Sequence, residues 1–302
     1  MKRFLIKFLV FFSIIALIDC AVGVSGKYLQ GHAIGGDTRR FDDIVKRESH
    51  DILILGSSRA HHHYDTPFLS DTLGLDVFNA GFDGNGVVLA YGILKMAINH
   101  YKPKLVLIDI EPAFDLDVYA ADNNHTRYLS YLKAYYDEPG ISEIFQDVSM
   151  EEWYKVHSGM IRYNNNIINL LADNIVKKDI NKGYTPLDGI VTPNTDEDVF
   201  SEQKKYDYFK INYIEKIIKL CIENHLPLVF VASPKYGMND SRHLQPAIDM
   251  CKRYDIPFWD YYASTTYLEH NDWFKDSMHL NRTGARMFSI DVSKRINDLI
   301  NN

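Results

Sequence analysis

Residues 51–63 read DILILGSSRAHHH. The apolar run Ile52–Leu55 has the length of a buried strand, and Gly56 stops it. The small hydroxyls that follow suit a tight turn into a helix. A strand apolar on both faces and followed at once by a helix is the unit of a parallel sheet covered on both sides. The unit recurs downstream. Strands are predicted at 76–80 (DVFNA), 104–110 (KLVLIDI), 227–233 (PLVFVAS) and 256–261 (IPFWDY), with helices near 65–73, 241–254 and 282–300 and over 87–100 and 208–225. The expected fold is therefore α/β, a three-layer α/β/α sandwich around a central parallel sheet. Sites in such sheets lie outside the carboxyl ends of the strands. The residues to weigh are Gly56–Arg59, Gly81 onward, Asp109–Asp115 and Ser233 onward.

The rest of the chain frames that core. With 302 residues it holds one large domain or two small ones. A net charge of −7 without a basic stripe argues against nucleic acid as a partner. Lys2, Arg3 and Lys7 precede the apolar run Phe8–Ile18; Asp19 interrupts it and AVGVS continues to Ser25. This pattern fits a signal peptide or a transmembrane anchor over residues 1–26, the anchor favoured, with Asp19 as a costly passenger. The positive flank then stays inside and the remainder is exported, outside the cytoplasm. Residues 27–50 are polar and glycine-containing, and read as a connector. The catalytic domain is expected over 51–302, with 115–205 as an inserted, mainly helical cap. Cys20, Cys221 and Cys251 show no metal-ligand spacing; Cys221 and Cys251 fall on helical patterns, as core residues or as a disulfide pair.

A serine at a strand-to-helix turn lies near unpaired backbone N–H groups, an environment that favours a nucleophile and the oxyanion its attack creates. Serine is equally a preferred helix N-cap, so Ser57 and Ser58 alone leave both readings open. A phosphate cradle is disfavoured, since no G-x-G-x-x-G or Walker loop occurs here. Residues 276–284, DSMHLNRTG, change the balance. Asp276 and His279 are three apart before a helix that Asn281 can cap, and a carboxylate there can hold the imidazole of a serine-activating base. In NAGFDGNG (79–86), Gly81 offers a backbone N–H to a substrate oxygen, while Asn79, Gly84 and Asn85 shape the loop. His61, His62 and His63 invite a metal reading. Consecutive side chains point in different directions, so no metal site is expected, one or two line the pocket rim and the others are solvated. Asp115 and Asp117 read as loop-capping residues.

These blocks, in this order, resemble the SGNH (GDSL-type) hydrolase superfamily, which carries G-D-S after the first strand, N-x-G-x-x-G in the second block and a late D-x-x-H. Here they read Gly56-Ser57-Ser58, Asn79-Ala80-Gly81-Phe82-Asp83-Gly84 and Asp276-Ser277-Met278-His279, and the resemblance covers roughly 51–114 and 208–300. It implies a flavodoxin-like fold and ester chemistry without a cofactor. Ser58 would be the nucleophile, His279 the base and Asp276 its partner, with the Ser58 and Gly81 amides as oxyanion donors. Ser57 stands where the family has aspartate. The family's third block, G-x-N-D, is absent: Asp109-Ile110-Glu111-Pro112 occupies its place, and an ionised Glu111 would repel an oxyanion. Glu111 is expected to pair with Arg59. The membrane segment and large insertion are similar to exported SGNH-like proteins of envelope polymers. These imply an acylated glycan or other ester as substrate and a membrane-bound O-acyltransferase as partner. Three readings follow: an O-acyl esterase, an O-acyltransferase with the same triad, or an inactive fold that binds a polymer.

Overall fold

The computed structural model describes residues 1–119, 124–178, 180–192 and 205–301. Five strands form one sheet in the order β2-β1-β3-β4-β5: β1 (Ile52–Gly56), β2 (Val77–Gly81), β3 (Leu105–Asp109), β4 (Leu228–Ala232) and β5 (Phe258–Asp260). Every pairing is parallel. The α-helices are α1 (Lys2–His32), α2 (Gly36–Asp42), α3 (Ser58–His63), α4 (Thr66–Leu73), α5 (Val87–Ala97), α6 (Pro112–Asp115) and α7 (Ile141–Val148). They continue with α8 (Met150–Lys155), α9 (Gly159–Tyr163), α10 (Ile167–Asp173), α11 (Tyr208–Glu223), α12 (Gln245–Arg253), α13 (Thr265–Leu268) and α14 (Arg282–Asn301). The expected α/β sandwich is what the chain forms.

Two compact units make up the chain, one comprising Ile44–Asn123 and Asn181–Asn302, the other Met1–Asp43 and Asn124–Ile180. The first contains the sheet. Side chains alternate along a strand, and Ile52, Ile54, Val77, Leu105, Leu107, Val229 and Val231 pack with Tyr64, Leu69, Phe288, Val292 and Ile296 of the α3–α4–α14 side. The alternate residues Leu53, Val106, Ile108 and Phe230, equally buried, point to the opposite face, where α5 meets α11. Burial on both faces explains why β1 to β4 read as continuous apolar runs and not as alternating ones. Each such side chain contributes about 1.5–3 kcal/mol by leaving water. The strand order reverses direction at β1: the chain steps from β1 to β2 on one side and later to β3 on the other. The crevice at the carboxyl ends of β1 and β3 is thus the place where such a sheet offers a site. Cys221 and Cys251 are free thiols in this unit, and burial pushes both up to about 12.

The second unit is helical. Its α1 is long and apolar enough to cross a bilayer, and its side chains from Phe4 to Ile18 are exposed. The later turns of α1 pack on α9 and α10. A Cβ added at Gly159 would lie 2.6 Å from the Gly23 Cα, so the two backbones touch. Asp19 is no idle charge. Its carboxylate accepts hydrogen bonds from Ser158 Oγ and from the Gly159 and Met160 amides at 3.1 and 2.9 Å, closing the start of α9. Residues 27–50, expected as a connector, are largely helical: α1 runs to His32, α2 follows, and a π-helical turn covers Asp43–Arg47. The buried Phe41, Ile44 and Val45 explain it, a small apolar set hidden among charges and glycines. Within the stretch expected as a cap, residues up to Ile180 group with the helical unit, and those from Asn181 group with the sheet.

Candidate active site

β1 ends at Gly56 in a conformation that demands glycine. Its φ is +149°, and a Cβ would lie 2.7 Å from the Asp109 carbonyl oxygen of the neighbouring strand. Gly56 is paired with Gly81 on one side and Asp109 on the other, so three strand ends lie level and form the floor of the crevice. Ser57 then caps α3, its Oγ accepting the Arg59 amide at 3.3 Å. The capping role falls on Ser57, which leaves the Ser58 hydroxyl for something else. As the first residue of α3, Ser58 has an amide with no intrahelical acceptor.

Ser58 Oγ lies 2.9 Å from His279 Nε2. His279 Nδ1 lies 3.0 and 3.2 Å from the two Asp276 oxygens. A carboxylate at Nδ1 places the imidazole hydrogen there and leaves Nε2 to accept from the Ser58 hydroxyl. Asp276 Oδ1 also accepts the Met278 and His279 amides at 2.8 and 2.9 Å, so one carboxylate both folds the loop and orients the ring. Burial works against its charge, but these bonds and the His279 ring prevail and hold its carboxyl down at about 2. The 276–279 loop is braced by Lys275 N donating to His279 O at 2.9 Å and by an antiparallel bridge between Phe274 and Leu280. Asn281 caps the start of α14 as expected, accepting the Gly284 amide at 3.0 Å.

Other expected residues fall around this line. Asn79 donates to the Ala60 carbonyl at 2.6 Å and ties β2 to α3. Its Oδ1 accepts the Gly81 amide at 3.0 Å. The donor expected to face an oxyanion is therefore engaged by a side chain of its own strand, and Gly81 serves as a spacer: a Cβ there would lie 2.6 Å from the His61 nitrogen. Among the described residues the Gly84 amide, in a left-handed turn of φ +67°, makes no hydrogen bond. Arg59 and Glu111 are both buried and their charges meet at 2.5 Å. Burial penalises the Glu111 charge, but Arg59 and Lys235 outweigh it and hold the carboxyl below its ordinary value. Asp115 is a capping residue, its oxygens taking the Val87 and Glu111 amides at 2.7 and 2.6 Å. Asp117 instead reaches His243 Nε2 at 2.6 Å.

The histidines are not solvated. His61 and His62 stack with ring centroids 4.5 Å apart and both meet Asp83 Oδ1, at 2.7 and 3.2 Å. Their ligand atoms and an Asp83 oxygen lie within 4.8 Å of one another, a grouping that the divergence of consecutive side chains did not suggest. His62 Nδ1 is 2.7 Å from the Thr185 carbonyl oxygen, and its ring stands edge-on to His279 at 5.6 Å. Residues from Asn181 onward thus wall the site. His63 turns inward and is wholly buried. Sequence reasoning missed its role, and those of Ser233, Asp109 and Tyr64 beneath it. Tyr64 Oη donates to Asp109 Oδ2 at 2.5 Å, and burial pushes Asp109 up to about 6. The available signal was position: Asp109 and Ser233 sit at strand ends.

No family model matches the chain, and no curated protein matches it. Among solved structures, one described as a gut microbial diltiazem-metabolizing enzyme is similar over 80% of this chain, with 12% sequence identity and a TM-score of 0.38. The chain spans 46% of that protein's length. A likeness at that score carries no argument about fold or function.

Proposed function

We propose that the chain is an exported, membrane-anchored SGNH-type serine enzyme acting on ester bonds. The observation that carries this reading is the line Ser58–His279–Asp276, with contacts of 2.9 and 3.0 Å, at the carboxyl end of β1. Ser58 Oγ attacks the ester carbonyl while His279 Nε2 takes its proton. Asp276 stabilises the imidazolium. The oxyanion is met by the Ser58 amide, the first of α3. His279 then gives its proton to the leaving alkoxide and an acyl-enzyme remains. Water as acceptor makes the protein an esterase; a sugar hydroxyl makes it an acyltransferase. The anchor and insertion favour an acylated envelope glycan as substrate, and a membrane-bound O-acyltransferase fits as the acyl source in the second case. None of these steps needs a cofactor.

Labelling of the full chain with a fluorophosphonate tests the reading. Wild type should label and Ser58→Ala should not. Asp276→Asn should slow labelling by about 10²- to 10⁴-fold, because the wrong imidazole tautomer then dominates. A folded wild type that does not label would sink the serine-enzyme reading in favour of the alternative, an inactive fold that binds a polymer or membrane partner, which the engaged Gly81 amide and the carboxylate at position 111 favour. If it labels, acetyl release from acylated glycans with and without acceptor sugars separates hydrolysis from transfer.

A further inference from the structure

The buried His63 makes two contacts that fix its state. Leu280 donates its amide to His63 Nε2 at 3.0 Å. An amide nitrogen can only donate, so Nε2 must carry a lone pair and the ring hydrogen must sit on Nδ1. Nδ1 lies 2.9 Å from Ser233 Oγ, which therefore accepts from it. The same oxygen receives Arg59 Nε at 3.2 Å. Ser233 Oγ thus accepts from both His63 and Arg59, close to Asp109, whose carboxyl burial pushes up to about 6. The result is a directed pair of bonds, Leu280 N–H to His63 and His63 to Ser233, beside Asp109, to which Tyr64 donates.

Leu280 directly follows His279. The His279 amide is held by Asp276 at 2.9 Å, its carbonyl by the Lys275 amide at 2.9 Å, and the next amide by His63 at 3.0 Å. These three bonds define the backbone on both sides of His279, and only the last comes from outside the 275–280 loop. We propose that His63 is a positioning residue, which pins the His279–Leu280 peptide to the sheet so that the His279 ring meets Ser58. Ser233, the acceptor at Nδ1, supplies the correct tautomer. This rests on the reading of Ser58 and His279 as nucleophile and base. A protonated His63 would present a hydrogen to the Leu280 amide and break the device. Burial, with Arg59, His279 and His62 nearby, opposes that charge and holds its pKa well below the usual histidine value.

Two measurements on the full chain decide the matter, with variants His63→Leu and His63→Gln whose melting temperatures show them folded. The first is hydrogen exchange of the 275–281 segment. Leucine removes the acceptor, and the Leu280 amide should lose protection by more than tenfold, whereas glutamine, which accepts and donates, should retain it. The second is fluorophosphonate labelling at saturating probe. Misplacing a base by about 1 Å costs about 10²-fold, so His63→Leu should slow the labelling step by about that factor with apparent probe affinity unchanged, and His63→Gln should recover most of it. A folded His63→Leu that keeps the segment protected, or labels within about threefold of wild type, overturns the proposal. Should wild type fail to label, the serine-enzyme reading falls and this positioning role falls with it. The exchange result then reports the peptide contact alone.

Discussion

Glu111→Gln separates a structural carboxylate from a reacting one. Four ionisable groups meet behind Ser58. Arg59 and Lys235 bring two positive charges, and Glu111 and Asp109 oppose them, all four side chains buried. At pH 7 the cluster is near balance, since Asp109, pushed up to about 6, is mostly ionised. Removing the Glu111 charge leaves Arg59 without the partner it touches at 2.5 Å. Breaking a buried pair from one side costs about 3–5 kcal/mol. The low end is expected, because Asp109 loses a like-charged neighbour and ionises more completely beside Arg59. Catalysis should survive. Glu111 Oε2 faces Arg59 and Oε1 faces the Ala113 amide at 3.4 Å, so neither oxygen is left for Ser58. Urea unfolding of the full chain should show a loss of about 3 kcal/mol, with the labelling rate of the folded protein within about tenfold. Arg59→Met with Glu111→Leu should recover most of the stability, since an apolar pair leaves no orphaned charge. A labelling loss beyond about 10³-fold at unchanged stability would refute this reasoning and give Glu111 a direct part in the reaction.

Other outcomes follow from single contacts. Gly81→Ala should destabilise by about 1–3 kcal/mol and slow labelling, because the added Cβ would lie 2.6 Å from the His61 nitrogen and 2.9 Å from the Ser57 oxygen, forcing α3 to shift; an unchanged melting temperature and rate would contradict that packing. Burial pushes Asp115 up to about 8 from an ordinary 3.8, against the pull of the Glu111 and Val87 amides. A raised carboxyl binds its proton more tightly when folded, so its stabilising contribution is complete below about pH 4 and lost as pH rises through about 8. Denaturation measured from pH 7 to 8, above the midpoint of the Asp109 titration, should show stability falling in wild type and a flatter profile in Asp115→Asn. Equal slopes in the two proteins would count against the assignment.

How much of this was legible in the chain follows from how local each signal is. The strands were readable because a doubly covered parallel sheet needs uninterrupted apolar runs, and 52–55, 104–110 and 227–233 supply them. Ser58, Asp276 and His279 were readable as block patterns, since a strand-end serine and a D-x-x-H turn are local geometries. The Arg59–Glu111 pair was anticipated from charge and place. What misled was equally physical. Gly81 reads as a free donor because a glycine turn shows nothing of the Asn79 side chain that occupies its amide. The polar composition of 27–50 concealed helices held by the few residues Phe41, Ile44 and Val45.

The sequence by itself determined the sheet, the apolar N-terminal helix and three blocks that resemble those of serine esterases. Only the tertiary structure decided what GSSRAHHH does residue by residue. One turn of helix sends consecutive side chains in different directions, and their partners, Asp83, Thr185, Ser233 and Leu280, come from parts of the chain that no spacing rule connects. Ser57 became the cap and Ser58 was left for His279. His61 and His62 became the wall beside Asp83, and His63 a buried clamp whose donor and acceptor pattern exists only once β4 and the 275–280 loop have closed over it.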